Sequence, residues 1–519
     1  MSRKWWTLGA VSTGIFMLLL DVTIVNVALP DIQRTFHAPL SDLQWTIDAY
    51  ALSLAAFLLT GGALADQFGR RRLFAIGLAI FTLGSALCGL ASGSLFLILA
   101  RAGQGIGGAI VYATSLALIA QAFPIGRERA VAFGIAGAIT GVAIAVGPVL
   151  GGVLTSGISW RWIFFVNLPT GVLALIVTMT KVQESRSPIA RRPDFLGFLT
   201  FGGGLIALTY GLIRSNPDGW TSATVIGSLA AATALLVAFV VVERRQRLPM
   251  FDLGLLRVPT FVGGLAAALA LSGSLFSVVT YLILYFQQAL HLSAAQTGVR
   301  FLPLTVAIFV ASAIAGRVSD RVPTRWLIAP GFALVGTGLM LMRGISTGST
   351  WTHLLSGMIV AGVGAGMVSV PLAATAVGVV EPARAGMASG INTTFRQVGT
   401  ATGVATLGSI FASHIRASVS HALSPGMTPH VAGIAHAAAS GRLGAAVTAA
   451  SPSARLAITH AGRAGFVDGL NVILLIGAGV AVVAALVTVL TVRERDLVQP
   501  THEPRPAATG LAESAPAAA

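Results

Sequence analysis

LLLDVTIVNVALPD, residues 18–31, belongs to an apolar run that begins near Trp5 and has Asp21 in its middle. A run of about 20 apolar residues can cross a bilayer as a helix. A charge at that depth is costly, so it normally faces a cavity or a partner. The stretch therefore predicts a spanning helix whose one acid points away from lipid.

The same N-terminal region has an alternative interpretation as a signal peptide, since MSRKWW precedes the apolar run. However, the run lasts about 22 residues, contains Asp21 and shows no small-residue cleavage site. We interpret it as a retained first helix.

The whole chain shares this apolar character. Of its 519 residues, 55% are hydrophobic and only 10% are charged, and the mean hydropathy is +0.84. Soluble domains carry about 25% charged residues, and single soluble cores stop growing near about 250–300 residues. These values exclude one large soluble domain and indicate an integral membrane protein.

Charge and cysteine content exclude two further classes. The net charge of +15 sits in short clusters between apolar runs, so we expect no nucleic-acid partner. The single cysteine, Cys88, allows neither an intrachain disulfide nor a cysteine-based metal site. We expect no metal and no cofactor.

Fourteen apolar segments are candidate membrane spans, and the chain is predicted to be an all-α polytopic membrane protein. Spans 1–14 lie near residues 6–30, 44–65, 72–92, 95–121, 129–155, 161–181, 195–214, 221–242, 259–289, 298–319, 326–345, 351–378, 384–414 and 468–492. Because the count is even, both termini should face the same side of the membrane.

The basic residues indicate which side that is. With the N-terminus inside, the inner segments hold 22 of the 33 Lys and Arg residues and the outer segments hold nine. Short loops rich in Lys and Arg stay cytoplasmic. The pattern predicts cytoplasmic termini in the cell inner (plasma) membrane.

Two loops at matching positions share a sequence pattern. GALADQFGRRR, residues 62–72, follows span 2, and GRVSDRVPTRW, residues 316–326, follows span 10. Gly62 and Asp66 align with Gly316 and Asp320 at an offset of 254 residues, which maps spans 1–6 onto spans 9–14. Repeated bundles typically hold a substrate site at their interface, near the bilayer midplane.

The predicted organisation is therefore two six-helix bundles with two inserted helices between them. The boundaries are an N-terminal bundle at 1–185, the inserted helices at 186–250, a C-terminal bundle at 251–493 with a long outer loop at 415–467, and a disordered cytoplasmic tail at 494–519.

Five motifs stand in order on the predicted spans. They read LDVTIVNVALP (20–30), GALADQFGRRR (62–72), LARAGQGIGGA (99–109), GAITGVAIAVGPVLGG (137–152) and WRWIFFVNLP (160–169). Together they resemble the major facilitator superfamily, and specifically its fourteen-helix drug:proton antiporter branch. The resemblance implies a multidrug exporter that uses the proton gradient as its energy source.

Asp21 is the strongest candidate for the proton carrier. Burial in an apolar site disfavours an ionised carboxyl, so such a group can bind and release a proton as its access to water changes. The alternative is a hydrogen-bonded aspartate that only locks span 1 to a neighbour.

Asp48 and Arg101 lie with Asp21 in the outer half of the predicted membrane. An arginine near Asp21 would favour its charged form, and the resemblance implies that Arg101 serves proton coupling; its alternative role is a structural bond to backbone carbonyls. Three roles are open for Asp48: a second proton site, a cation-binding carboxylate or an outer gate.

The second bundle lacks these acids, because Asp21 and Asp48 map to Leu275 and Leu302 at the offset of 254. Coupling is therefore predicted in the first bundle. Arg396 on span 13 either faces the cavity or pairs with a helix end. We assign three residues to the substrate cavity: Trp45, Tyr50 and Arg396.

Span 5 has the composition of a sliding seam between the bundles. Gly147, Gly151 and Gly152 would allow close backbone approach, and Pro148 removes a helical hydrogen bond. The alternative is ordinary small-residue packing, but the resemblance favours the seam.

A second conformational gate is predicted in the loop after span 2. Its members are Gly62, Asp66, Gly69, Arg70 and Arg71. Asp66 could bind the N-terminal dipole of span 13, after Glu381-Pro382, and so latch one conformation. The arginines also have a simpler interpretation as topology anchors.

The predicted function is proton-coupled export of amphipathic small molecules by alternating access. A nutrient importer is the nearest rival; a membrane enzyme would need a nucleophile with a base, and a sensor would need a folded soluble domain. The outer loop 415–467 holds His421, His430, His436 and His460 without tight metal-ligand spacing, which favours a solvated, partly helical cap. We expect a monomer whose partners are substrate, protons and lipid.

Overall fold

A computed structural model describes most of the chain. The described residues are 2–123, 127–185, 194–246, 251–319, 321–380, 385–422, 431–439, 447 and 452–496. Every regular element within these ranges is helical.

The first eight helices cover the first predicted bundle and the inserted pair. They are α1 Arg3–Phe36, α2 Leu40–Phe68, α3 Arg70–Gly89, α4 Ser94–Ala122, α5 Arg127–Gly157, α6 Trp162–Lys181, α7 Phe195–Asp218 and α8 Ala223–Arg245. The helical conformation of α6 is interrupted at Val166, between Trp162–Phe165 and Asn167–Lys181.

Seven more helices complete the described chain. They are α9 Pro259–Ala289, α10 Ala294–Val318, α11 Arg325–Leu341, α12 Thr352–Gly378, α13 Ala385–Ala422, α14 Val431–Ala439 and α15 Pro452–Thr491. Two turns of α9 are π-helical, at Ser272–Phe276 and Tyr285–Ala289.

Ten helices in the described ranges are long and apolar enough to cross a membrane. Two shorter apolar helical stretches, Val146–Gly157 and Arg325–Leu341, accompany them. Large apolar side chains such as Leu83, Leu99 and Leu490 are exposed on the surface of the protein, where a bilayer would cover them. The finer count of fourteen spans stays a prediction.

Glycines bring α3 and α4 into backbone contact, and the same device recurs 254 residues later. A Cβ on Gly84 would lie 2.8 Å from the Cα of Gln104 on α4. A Cβ on Gly338 of α11 would lie 2.7 Å from the Cβ of Ala361 on α12. A larger side chain at either glycine would push the two helices apart, so both pairs depend on small residues.

The ends of α1 and α9 repeat each other in backbone conformation. His37 follows α1 with φ 51°, and His291 follows α9 with φ 54°. Positive φ is uncommon for residues other than glycine. The two histidines are also 254 residues apart, so the offset seen in the loops extends to local geometry.

The end of the molecule where α1 stops, far from both described termini, is called the distal end. Hydrogen bonds between spans 1–6 and spans 9–14 gather there. Gln287 donates to the Val27 carbonyl at 2.8 Å, and Gln288 donates to the Gln33 side chain at 2.7 Å. The Ala295 backbone N–H donates to Ser156 at 3.0 Å. The two halves are therefore in direct contact at this end.

Helix α7, the first of the predicted inserted pair, packs against both α2 and α13. Phe198 packs on Phe57 of α2 with ring centroids 4.5 Å apart. On the other side, Ser215 shares a buried hydrogen bond of 3.0 Å with Ser409 of α13. Helix α7 therefore touches both halves.

Parts of the predicted outer loop 415–467 are helical in the described residues. Helix α13 continues to Ala422 and α15 begins at Pro452, and Ile434 and Ala438 of α14 are buried in the main apolar core. Apolar positions at helical spacing in α14 explain why this part packs rather than remaining solvated. Of the predicted tail, residues 494–496 form a short turn and the remainder lies outside the described residues.

Candidate functional site

Asp21 and Arg101 form an ion pair at the centre of the first half. Asp21 lies midway along α1 and Arg101 lies on α4, and both side chains are almost completely buried. The Arg101 guanidinium donates to Asp21 Oδ2 at 2.5 Å. It also donates to the Thr46 carbonyl of α2 at 3.2 Å, so three helices meet at this arginine.

Gln104 completes the arrangement, and sequence analysis missed it. Its amide nitrogen donates to Asp21 Oδ1 at 2.9 Å, and its oxygen accepts from Arg101 at 2.8 Å. Gln104 follows Arg101 by three residues on α4, so the two side chains share one helix face. That spacing was the available signal. Asp21, Arg101 and Gln104 are called the polar cluster.

The polar cluster satisfies each charge with a partner, which a buried pair requires. Taking ions out of water is expensive, and removing one member of a buried pair typically costs about 3–5 kcal/mol. Loss of any one member would therefore leave a buried charged or polar group without its partner.

A small cavity adjoins Arg101. Its volume is about 20 Å³, and it is lined by residues of α1, α2, α4 and α13, among them Asn26, Tyr50 and Gln397. Arg101 lies 4.2 Å from the centroid of the Tyr50 ring, a cation–π geometry. This cavity is large enough for one water molecule and is the place where both halves meet the polar cluster.

Asp48 is placed apart from the polar cluster. It is fully buried on α2, and neither carboxyl oxygen makes a hydrogen bond with any described residue. Asp21, by contrast, is held by two side chains of α4.

The three residues assigned to the substrate cavity have different neighbours among the described residues. Tyr50 lines the small cavity beside Arg101. Trp45 is half-buried and packs against Tyr210 of α7, with ring centroids 6.3 Å apart. Arg396 is half-buried on α13 and does not line the small cavity beside Arg101.

The glycines of α5 face two different helices. A Cβ on Gly151 would lie 2.8 Å from Ile24 of α1, and Gly147 faces Thr23 of the same helix. A Cβ on Gly152 would lie 2.5 Å from the Ala294 carbonyl of α10. Gly152 thus contacts the other half directly.

Pro148 also contacts the second half. A Cβ on Gly298 of α10 would clash with the Pro148 carbonyl. The α5–α10 contact therefore depends on small residues from both helices.

Glu184 holds the loop between α2 and α3. Its carboxylate accepts from the backbone N–H of Arg71 at 3.0 Å and of Arg72 at 3.3 Å, which places a negative charge at the N-terminus of α3. Gly69 has φ 112°, and a Cβ there would lie 2.7 Å from Glu184. The positive φ at Gly69 favours glycine there, and sequence analysis missed Glu184.

The structure describes the other predicted gate residues only in part. The backbone N–H of Arg70 donates to the Ser185 carbonyl at 2.9 Å, and Gly62 faces Ala113 of α4. The side chain of Asp66 and the segment Glu381-Pro382 lie outside the described residues, so the predicted latch stays a prediction. No group of three or more metal-binding side chains occurs in the described ranges.

Comparison with known proteins gives a consistent result. The model of the Major Facilitator Superfamily matches residues 11–404. The chain is 38% identical to the multidrug resistance protein Stp of Mycobacterium tuberculosis, across 80% of this chain and 77% of that protein. It is 32% identical to the tetracenomycin C resistance and export protein of Streptomyces glaucescens, across 98% and 95% of the two chains.

A second antibiotic resistance protein and a solved structure extend the comparison. The chain is 37% identical to the puromycin resistance protein pur8 of Streptomyces alboniger, across 82% of this chain and 86% of that protein. Its fold is similar to a bacterial homologue of the human lysosomal transporter Spinster in an inward-facing, unoccupied conformation. The TM-score is 0.59 at 16% identity, and the match covers 96% and 99% of the two chains.

Proposed function

Since the chain belongs to the major facilitator superfamily, we propose that it is a proton-coupled exporter of amphipathic drugs that works by alternating access. It is a multi-span membrane protein, and its relatives are named as multidrug and antibiotic resistance proteins. The family and fold are those of transporters rather than enzymes. The observation that carries the coupling step is the buried polar cluster of Asp21, Arg101 and Gln104.

Asp21 is the proton carrier in this proposal. In the ionised state its two oxygens accept from Arg101 and Gln104, and the pair is neutral overall. When Asp21 takes up a proton from outside, the ionic attraction ends and Arg101 keeps its interactions with Thr46 and Tyr50. The position of α1 against α4 would then differ between the two protonation states.

Substrate is exchanged for that proton. Asp21 gives up its proton to the cytoplasm as substrate binds, and the outward-facing state releases substrate when Asp21 is protonated again. A ligand shifts such an equilibrium only as far as it binds the two states differently. The small cavity beside Arg101 lies between the two halves, so movement of the halves would change access to the polar cluster.

The organisation of the chain follows from the same proposal. Residues 1–185 and 251–493 are the two moving bundles, and 186–250 is the inserted pair. Both termini lie in the cytoplasm, and the protein is a monomer in the cell inner membrane. Asp48 serves as a secondary site.

Proteoliposome flux tests this function. Purified protein is reconstituted into vesicles, a pH gradient is imposed, and gradient-driven movement of ethidium, puromycin and tetracenomycin C is followed. We expect the wild type to move at least one of these compounds when the gradient is present and to stop when it is collapsed.

Two variants and one ion substitution sharpen the experiment. Asp21→Asn should abolish gradient-driven movement, whereas Asp218→Asn, which alters a peripheral ion pair with Arg214, should retain it. Movement driven by a sodium gradient but not by a proton gradient would overturn the choice of coupling ion.

A further inference from the structure

A second cavity lies at the distal end, away from the polar cluster. Its volume is about 1160 Å³, larger than the roughly 300–1,000 Å³ of most small-molecule pockets. Both halves contribute to it, with residues from the ends of α1 and α5 on one side and of α9, α13 and α15 on the other. We call it the distal vestibule.

The floor of the distal vestibule separates it from the polar cluster. Gln287 and Gln288 line the vestibule and hydrogen-bond to Val27 and Gln33 of α1. Val27 is six residues beyond Asp21 on α1, a rise of about 9 Å along the helix. The vestibule is therefore a site distinct from the coupling site.

Among the described charged residues that line the distal vestibule, one arginine has no carboxylate partner. Arg34 is paired with Asp31 at 2.5 Å. Arg463 of α15 donates to His291 Nε2 at 3.0 Å, and no described carboxylate lies within ion-pair distance of it. Because an arginine can only donate, that ring nitrogen accepts the hydrogen bond. Arg463 therefore has a neutral acceptor and no described carboxylate as its partners.

Apolar side chains line the walls of the distal vestibule near Arg463. Phe411 and Phe466 pack edge to face with ring centroids 4.7 Å apart, and both line the vestibule. Ile415 and Leu292 extend the same apolar wall. A cation beside an apolar wall suits a ligand that has one anionic group and an apolar body.

We propose that the distal vestibule is a second binding site, for amphipathic organic anions. The anionic group would bind Arg463, and the apolar body would lie against Phe411 and Phe466. Binding there does not require the polar cluster or a proton gradient, so the proposal can fail independently of the exporter function.

A fluorescence titration tests the site directly. Purified full-length protein in maltoside detergent is titrated with dansylaminoundecanoate, an amphipathic carboxylate, and with dansylcadaverine, an amphipathic cation. We expect the carboxylate to bind the wild type more tightly than the cation. Arg463→Gln should weaken carboxylate binding about tenfold, as expected for the loss of one charge-assisted hydrogen bond.

Two matched variants make the result specific. Arg463→Lys should retain most of the affinity, because the charge is kept. Arg300→Gln removes a distal arginine that lies over Trp351, outside the vestibule, and should leave the affinity unchanged.

Other outcomes would overturn the proposal. Equal affinity in Arg463→Gln and wild type would show that this arginine binds no anion. Equal weakening in Arg300→Gln would show nonspecific attraction to distal charge.

Discussion

The two halves differ most at the positions of the polar cluster. The offset of 254 residues relates its three members to three apolar residues: Asp21 to Leu275, Arg101 to Leu355 and Gln104 to Met358. In the second half, Leu275 and Met358 are completely buried in the main apolar core. In the first half, the equivalent space holds an ion pair and an amide.

This difference between the halves distinguishes what the fold needs for stability from what the protein needs for function. Well-packed apolar residues are often as stabilising as a buried ion pair of similar volume, or more so. The second half shows that the same helix arrangement can be filled without charge. The first half therefore carries a costly polar cluster that the fold does not need, which is why we place proton coupling there.

Making the first half resemble the second should have the largest effect. Arg101→Leu leaves Asp21 buried without its ionic partner, so the free energy of unfolding should fall by about 3–5 kcal/mol and gradient-driven efflux should be lost. Thermal melting in detergent and proteoliposome flux measure the two quantities.

The matched control is the double variant Asp21→Leu/Arg101→Leu. It should regain most of the lost stability, because no charge stays buried alone, yet remain inactive. A double variant that exports drug, or that melts no higher than Arg101→Leu, would break the comparison.

Gln104→Met places the residue of the second half in the first and should have the next largest effect. It removes hydrogen bonds to Asp21 and Arg101, and one bond to a charged group contributes about 1.5–3 kcal/mol. We expect a lower melting temperature and about tenfold slower efflux. Gln104→Glu, by contrast, would add a second acid beside Asp21 and should slow efflux at least as much. Wild-type flux in Gln104→Met would exclude Gln104 from coupling.

An acid placed in the second half should destabilise the protein less than Arg101→Leu does, and it should create no proton-coupled efflux. Leu275→Asp would bury a carboxyl among apolar residues, which at about 1–3 kcal/mol for an unsatisfied polar group should lower the melting temperature. Leu275→Asn is the matched uncharged control. New proton-coupled efflux from a Leu275→Asp variant that also carries Asp21→Asn would contradict the assignment of coupling to the first half alone.

Asp48→Asn should have the smallest effect. The Asp48 carboxyl makes no hydrogen bond with described residues and lies apart from Arg101, so the amide can replace it with little change. We expect efflux to be reduced only for some substrates. Uniform loss of efflux for every compound, measured across a drug panel, would move the proton site from Asp21 to Asp48.

Sequence reasoning recovered the helical class and the depth of the important residues. Helix length and charge placement put Asp21 and Arg101 at similar depth, and the structure brings them together. Gln104 was within reach, because i and i+3 residues share a face. It was missed because a neutral amide does not stand out as an acid in an apolar run does.

Other features could not be predicted, because they depend on how helices are placed around one another. The glycines of α5 were visible, but only the structure shows that Gly151 meets α1 while Gly152 meets α10. Trp45 packs on the inserted helix α7, and no periodicity indicates where an inserted helix docks. Only the structure shows that Ile434 and Ala438, within the predicted outer loop, pack in the main apolar core.

The most direct test of the central claim is substrate-induced proton release from purified protein in detergent. A weakly buffered solution with a pH indicator at neutral pH is mixed with a compound that the flux experiment identifies as substrate. Our account predicts proton release by the wild type and by Asp218→Asn, and none by Asp21→Asn, even though Asp21→Asn still binds the compound. Proton release of wild-type size from Asp21→Asn would show that this aspartate is structural and that another group carries the proton.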